Sequence, residues 1–125
     1  MFVLYNPNPT GTNVGDCVIR AVSKAMNQDW DTTYLDLAMI GFEIKDMPSA
    51  NRVWGSYLRR NGFRRFNLPN TCPECYTVRD FCMDYPYGIF VLATGSHVIA
   101  VISGNYYDSW DSGNETVAYL FKKGR

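Results

Sequence analysis

The sequence holds a single histidine, His97, among 125 residues, so any chemistry that needs an imidazole has one address. It carries no net charge, with 12 Lys+Arg against 12 Asp+Glu and a pI near 6.5. That excludes binding to nucleic acid or to an anionic membrane through a global basic field, and neither is expected as a partner. No run approaches the roughly 18 apolar residues that a bilayer span needs, and the opening MFVLYNPNPTG has no cationic segment ahead of a long apolar one. The chain is therefore read as soluble and cytoplasmic. Cysteine is sparse at four, which points to free thiols, ligands or a nucleophile rather than a disulfide framework. Internal repeats, low-complexity tracts and long linkers are also lacking, so residues 1–125 are read as one domain.

The material for a core is present. Hydrophobic residues make up 46% of the chain and aromatics 15%. A chain of this mass folds to roughly 6,800 Å² of accessible surface from about 20,700 Å² unfolded, so close to two-thirds is buried. Residues 5–16, YNPNPTGTNVGD, combine Pro, Asn and Gly and read as a long ordered loop. In CVIRAVSKAM (17–26) the apolar residues recur at three and four, with Arg20 and Lys24 on the opposite, polar face and Asp16 as N-cap. A second helix is expected over 32–40, capped by Asp31 and stopped by Gly41. The third follows a Ser49 cap and ends at Gly62, and a short fourth begins at Thr77 with the capping-box sequence TVRD and ends by Tyr85. After Gly88 the period becomes extended in GIFVLAT, HVIAVIS, YYDSW and TVAYLFK, separated by turn residues. N-terminal helices followed by a C-terminal antiparallel meander make an α+β domain.

The sharpest chemical feature is Gly15-Asp16-Cys17 leading into a helix. A thiol in a first turn faces unpaired backbone N–H groups and the positive end of the helix dipole, which favour the nucleophilic thiolate. His97 opens a strand, at an end where an imidazole can reach a thiolate on a neighbouring helix. A general base needs an orienting carboxylate on its other ring nitrogen, and the following strand returns with Asp108 and Asp111. A two-residue loop at Gly104-Asn105 places Asp108 on the His97 face, about four residues along. A three-residue loop from Ser103 to Asn105 instead puts Asp111 opposite His97, so periodicity leaves both open. Trp110, beside Asp108 in sequence, is expected to shield the His–Asp pair from water.

Two further clusters carry rival readings. CPECYTVRDFC (72–82) offers Cys72, Cys75 and Cys82 as thiolate ligands of a structural zinc ion, with His97 as a fourth, though reduced cysteines packing a turn need no ion. RRNGFRR (59–65) gathers Arg59, Arg60, Arg64 and Arg65, a local patch that the polar face of the third helix also explains.

A cysteine at a helix start, then His on a strand, then Asp or Asn on the next strand is the chain order of the papain-like cysteine peptidase superfamily. His97-Val-Ile-Ala-Val-Ile, a turn and Tyr-Tyr-Asp108-Ser-Trp resemble the His strand and Asn-Ser-Trp segment of papain-type enzymes, with Asp108 in place of Asn. The chain is also similar to bacteriocin-processing peptidases of the C39-like group, where an Asp follows the His on the next strand. The resemblance implies a papain-like fold and a cysteine-dependent hydrolase, peptidase-like or amidase-like, acting on a peptide or protein carbonyl without a cofactor. Cys17 is then the nucleophile, His97 the base and Asp108 its orienter, with Asp111 in reserve. Papain-type enzymes place a Gln about six residues before the Cys, where this chain has Gly11. The Cys17 backbone N–H and the amide of Asn6, Asn8 or Asn13 are the substitutes for oxyanion stabilisation. A non-catalytic papain-like interaction module, zinc-stabilised through Cys72, Cys75 and Cys82, is the alternative.

Overall fold

The apolar 3.6 period that begins at Cys17 sets the first helix. In the computed structural model, which describes residues 1–124, α1 spans Cys17–Met26 and buries Val18, Ile19, Ala21, Val22 and Ala25. Asp16 stands in the N-cap position but makes no cap, because its carboxylate is drawn to Arg20 and Trp30 instead. Arg20, expected on a polar face, is buried.

Helix α2 runs over Trp30–Ile44, longer than expected at both ends. Its cap is Asp29 rather than Asp31, with Thr32 N donating to Asp29 Oδ1 at 2.8 Å. Gly41 does not stop the helix. It lies where the chain folds back on itself, and a Cβ there would come within 2.5 Å of the Asp46 carbonyl oxygen. Helix α3 spans Asn51–Arg60 behind Ala50, not Ser49, and Gly62 takes the expected left-handed conformation at φ 87°. Helix α4, Val78–Asp84, carries the expected capping box, in which Thr77 and Asp80 each accept from the other's backbone N–H.

Among the described residues, six strands form one mixed sheet. They are β1 (Phe2–Leu4), β2 (Phe63–Asn67), β3 (Ile89–Ala93), β4 (Val98–Ile102), β5 (Asn105–Asp108) and β6 (Tyr119–Lys123), in the order β1-β5-β4-β3-β6-β2. The α+β class stands, but the layout of N-terminal helices on a C-terminal antiparallel meander is corrected. Strand β1 joins the sheet from the N-terminus, parallel to β5, and α4 falls between β2 and β3. Strand β2, read from sequence only as an arginine cluster, pairs antiparallel with β6 at the sheet edge. Arg64 and Arg65 are exposed there, a charged edge that resists pairing with another chain.

The sheet is covered on both faces, which is why its central strands are continuous apolar runs rather than alternating ones. Val91, Ala93, Val98, Ala100 and Phe121 pack against α1 to α3 around Trp54. Phe90, Leu92, Ile99, Val101 and Leu120 pack on the other side against Val78, Phe81 and Cys82 of α4. The folded surface is 6997 Å², close to the scaling expectation.

The β4–β5 hairpin turns on Ser103 and Gly104, both at positive φ (51° and 75°), as a two-residue turn that matches strand twist requires. Neither loop considered from sequence is the one formed. Ile102 pairs with Asn105 and Ala100 with Tyr107. Continued outward, this register sets Trp110 opposite His97 and Asp108 one diagonal step away.

Candidate active site

Three elements meet where α1 begins. The helix supplies Cys17, the residue before β4 is His97, and the last residue of β5 is Asp108. His97 Nε2 lies 2.6 Å from Asp108 Oδ2. With Nε2 engaged, Nδ1 is the ring nitrogen left for the half-buried Cys17 thiol, and each group favours the charged form of the other.

Asp108 is fully buried and saturated with donors. Oδ2 also accepts from Ser112 Oγ at 2.7 Å. Oδ1 accepts from the Ser109 backbone at 2.7 Å and from Arg20 Nε at 3.2 Å, with Arg20 Nη2 at 3.0 Å. Arg20 Nη1 in turn meets Asp16 Oδ1 at 2.7 Å, and Trp30 Nε1 donates to Asp16 Oδ2 at 2.9 Å. When the thiol and imidazole carry charge, the side chains from Asp16 through Arg20, Asp108 and His97 to Cys17 alternate in sign. Each ion has an opposite neighbour, which is what lets charge persist out of water.

The titration shifts follow from this line. Burial pushes the Asp108 carboxyl up, but hydrogen bonds from His97 and Ser112, the His97 charge and the Ser109 N–H outweigh it and hold the group below its ordinary range. Burial disfavours the His97 imidazolium, yet hydrogen bonds to Asp108 and Cys17 and their charges raise it from 6.5 to about 9. Burial likewise pushes the Cys17 thiol up. The His97 hydrogen bond, the Val98 backbone N–H and the charges of His97 and Arg20 bring it below 9.0. The thiol falls while the imidazole rises, the two directions that favour a thiolate–imidazolium pair.

Cavities open on both sides of Cys17 and His97. The larger, about 690 Å³, is also bordered by Asn13, Gly15, Ser109 and Trp110. The smaller, about 290 Å³, is bordered by Asn51, Thr94, Ser96 and Tyr119. Trp110 is 47% exposed, and its ring stands 4.9 Å from that of His97, covering one side of the imidazole. Of the oxyanion candidates, only Asn13 borders a cavity at Cys17. Its Oδ1 accepts from Asn6 Nδ2 at 3.5 Å. Asn6 otherwise ties the loop together through the Gly11 and Thr12 carbonyls, and Asn8 Oδ1 accepts from the backbone and hydroxyl of Thr10. The Cys17 N–H is in the first turn of α1 and has no carbonyl one turn back to pair with.

The remaining sequence candidates lie elsewhere. Asp111 accepts from Tyr106 and from the Gly113 N–H and pairs with Arg79, so it is a turn residue and not the His97 partner. Cys72 and Cys75 are joined in a disulfide, which corrects the expectation of free thiols, ligands or a nucleophile at these two positions. Cys82 is on the buried side of α4, in the core. The three sulfurs therefore do not converge as zinc ligands, and no cluster of three or more His, Cys, Asp or Glu suited to a metal ion occurs among the described residues. No described helix is long and apolar enough to cross a membrane.

Sequence reasoning missed Arg20, Ser112 and Trp30. Arg20 had a signal: Asp16 and Arg20 are one turn apart, and an arginine three residues past a cysteine in an apolar helix has a charge that must be answered. Ser112 and Trp30 had none, since each meets its partner through tertiary structure. No protein-family model, curated protein or solved structure matches this chain.

Proposed function

We propose that the protein is a cysteine-dependent hydrolase of amide bonds in a peptide or protein, with a papain-like arrangement of its site. One observation carries the reading. The sole histidine lies between the thiol that opens α1 and a buried carboxylate, at the mouth of open cavities. A free Cys17 is what the chemistry requires, and Cys17 and Cys82 are the two cysteines outside the Cys72–Cys75 disulfide.

The Cys17 thiolate attacks the carbonyl carbon, forming a C–S bond and moving the π electrons onto oxygen. The Cys17 N–H and the Asn13 amide stabilise that oxyanion. Collapse breaks the C–N bond, and His97 gives its Nδ1 proton to the leaving amine. His97 then takes a proton from water, the resulting hydroxide attacks the thioester, and the C–S bond breaks to release the acid and restore the thiolate. Asp108 keeps the Nε2 proton in place throughout, so Nδ1 does the transfer.

The deciding experiment combines a thiol-reactive peptidyl electrophile, read by intact mass, with hydrolysis of a peptide pool read by mass spectrometry. One adduct on Cys17 and new peptide termini, both abolished by Cys17→Ala and His97→Ala, are expected. Peptides that stay intact while Cys17 is readily labelled would reject the hydrolase and leave a reactive but non-hydrolytic module.

A further inference from the structure

Helix α2 is apolar on two sides. Its inner face buries Thr33, Leu37, Ile40 and Gly41. Its outer face exposes Leu35 (62%), Met39 (65%) and Phe42 (74%), which border a shallow depression together with Ala38 and Glu43. A helix apolar all round belongs in an interior, so the outer stripe wants a cover.

The order of residues along the stripe says what fits. Asp31, Leu35, Ala38 and Phe42 follow one another at three and four residues and share one side of the helix, and Lys45, in the left-handed conformation, ends it just beyond Phe42. A two-fold axis at Ala38, with a second α2 running antiparallel, sets Asp31 against Lys45 of the other copy. It sets Tyr34 and Leu35 against Phe42, and Ala38 against itself. The acid and the base lie equally far from the centre in sequence, and a small residue stands where two helices must approach most closely. Both charges are exposed, and among the described residues neither is in an ion pair. The Lys45 ammonium rests over the Phe42 ring at 4.1 Å, at the edge of the apolar stripe where the facing carboxylate would arrive.

We infer that the protein forms a two-fold symmetric dimer through the outer face of α2. The contact is isologous, so one surface satisfies both partners. No α2 residue borders the cavities at Cys17, and the dimer leaves them open. One helix pair, about 22 Å long, buries less than the roughly 800 Å² per partner of a standard interface, so the dissociation constant is on the order of micromolar.

Sedimentation of the purified 125-residue chain from about 1 to about 200 μM tests this directly. The mass should rise from 14.3 kDa toward twice that value. Phe42→Glu should hold it at the monomer throughout. Asp31→Lys should weaken association about tenfold by setting like charges together, and Asp31→Lys with Lys45→Asp should restore it. Labelling of Cys17 at the wild-type rate in every variant shows that each is folded. A wild-type monomer at the highest concentration, a dimer that survives Phe42→Glu, or a double variant no better than Asp31→Lys alone each overturns the inference.

Discussion

Arg20 reaches across 88 residues of sequence to grip Asp108 Oδ1, through Nε at 3.2 Å and Nη2 at 3.0 Å, with both side chains all but removed from water. The same guanidinium grips Asp16, one turn back on α1. The helix that presents the thiol is therefore fastened to the carboxylate that orients the imidazole. Thiol, imidazole and carboxylate are placed by one shared cation.

Arg20→Met should cost about 3–5 kcal/mol of stability, because it strands two buried carboxylates. Arg20→Lys should recover only part of that, since an ammonium lacks the fork that holds Asp16 and Asp108 together. Urea melts measure the loss. The Cys17 thiol should also titrate higher in both variants, as Arg20 no longer favours the thiolate as strongly. Variants as stable as the wild type would mean that the Arg20 contacts do not hold α1 to Asp108.

The single histidine makes an NMR titration unambiguous, with one imidazole to follow. Its midpoint should lie at about 9 rather than 6.5. Asp108→Asn retains an oxygen to accept from Nε2 but removes the negative charge, so the midpoint should fall. Cys17→Ser should lower it as well. A wild-type midpoint near 6.5 would remove the charged pair and with it the case for an activated thiol.

Iodoacetamide at mildly acidic pH should label Cys17 well ahead of Cys82. The Cys17 thiol is lowered by His97 despite its burial, whereas burial pushes Cys82 up. Cys72 and Cys75, joined to each other, should stay unlabelled until a reductant is added. Peptide mapping reads the order, and equal rates at the two free thiols would count against the proposed chemistry.

The elements with strong local signals were legible in sequence, among them the apolar period of α1, the capping box of α4 and the extended runs of β3, β4 and β6. The short edge strands β1 and β2 were not, because pairing with β5 and β6 makes them strands and their own residues do not. Cys17 and His97 stood out because a thiol at a helix start and a lone imidazole are rare features. The choice between Asp108 and Asp111 turned on hairpin register, which Ser103 decides by accepting positive φ, giving a Ser103-Gly104 turn in place of either the Gly104-Asn105 or the Ser103 to Asn105 loop. Arg20 was misplaced because helical periodicity assigns a charged residue to water, and only the tertiary approach of Asp108 makes its burial favourable.

Stability against pH gives the last prediction, because the two shifts act in opposite senses. The raised His97 alone contributes stability that is full below pH 6.5 and lost as pH climbs through about 9. The lowered Cys17 alone contributes stability that is present above 9.0 and lost as pH falls through its folded value. Unfolded, the imidazole has released its proton above 6.5 and the thiol keeps its proton up to 9.0, so the two hold one proton between them. Folded, the thiolate–imidazolium pair also holds one. Wherever the pair is formed in that window, neither state takes up more protons than the other, and stability should be flat. Cys17→Ser removes the compensation, so its stability should fall as pH rises above 6.5, toward the lower folded value that His97 then has. Urea midpoints across the window, compared between wild type and variant, measure the difference. Equal slopes would show that thiol and imidazole titrate independently.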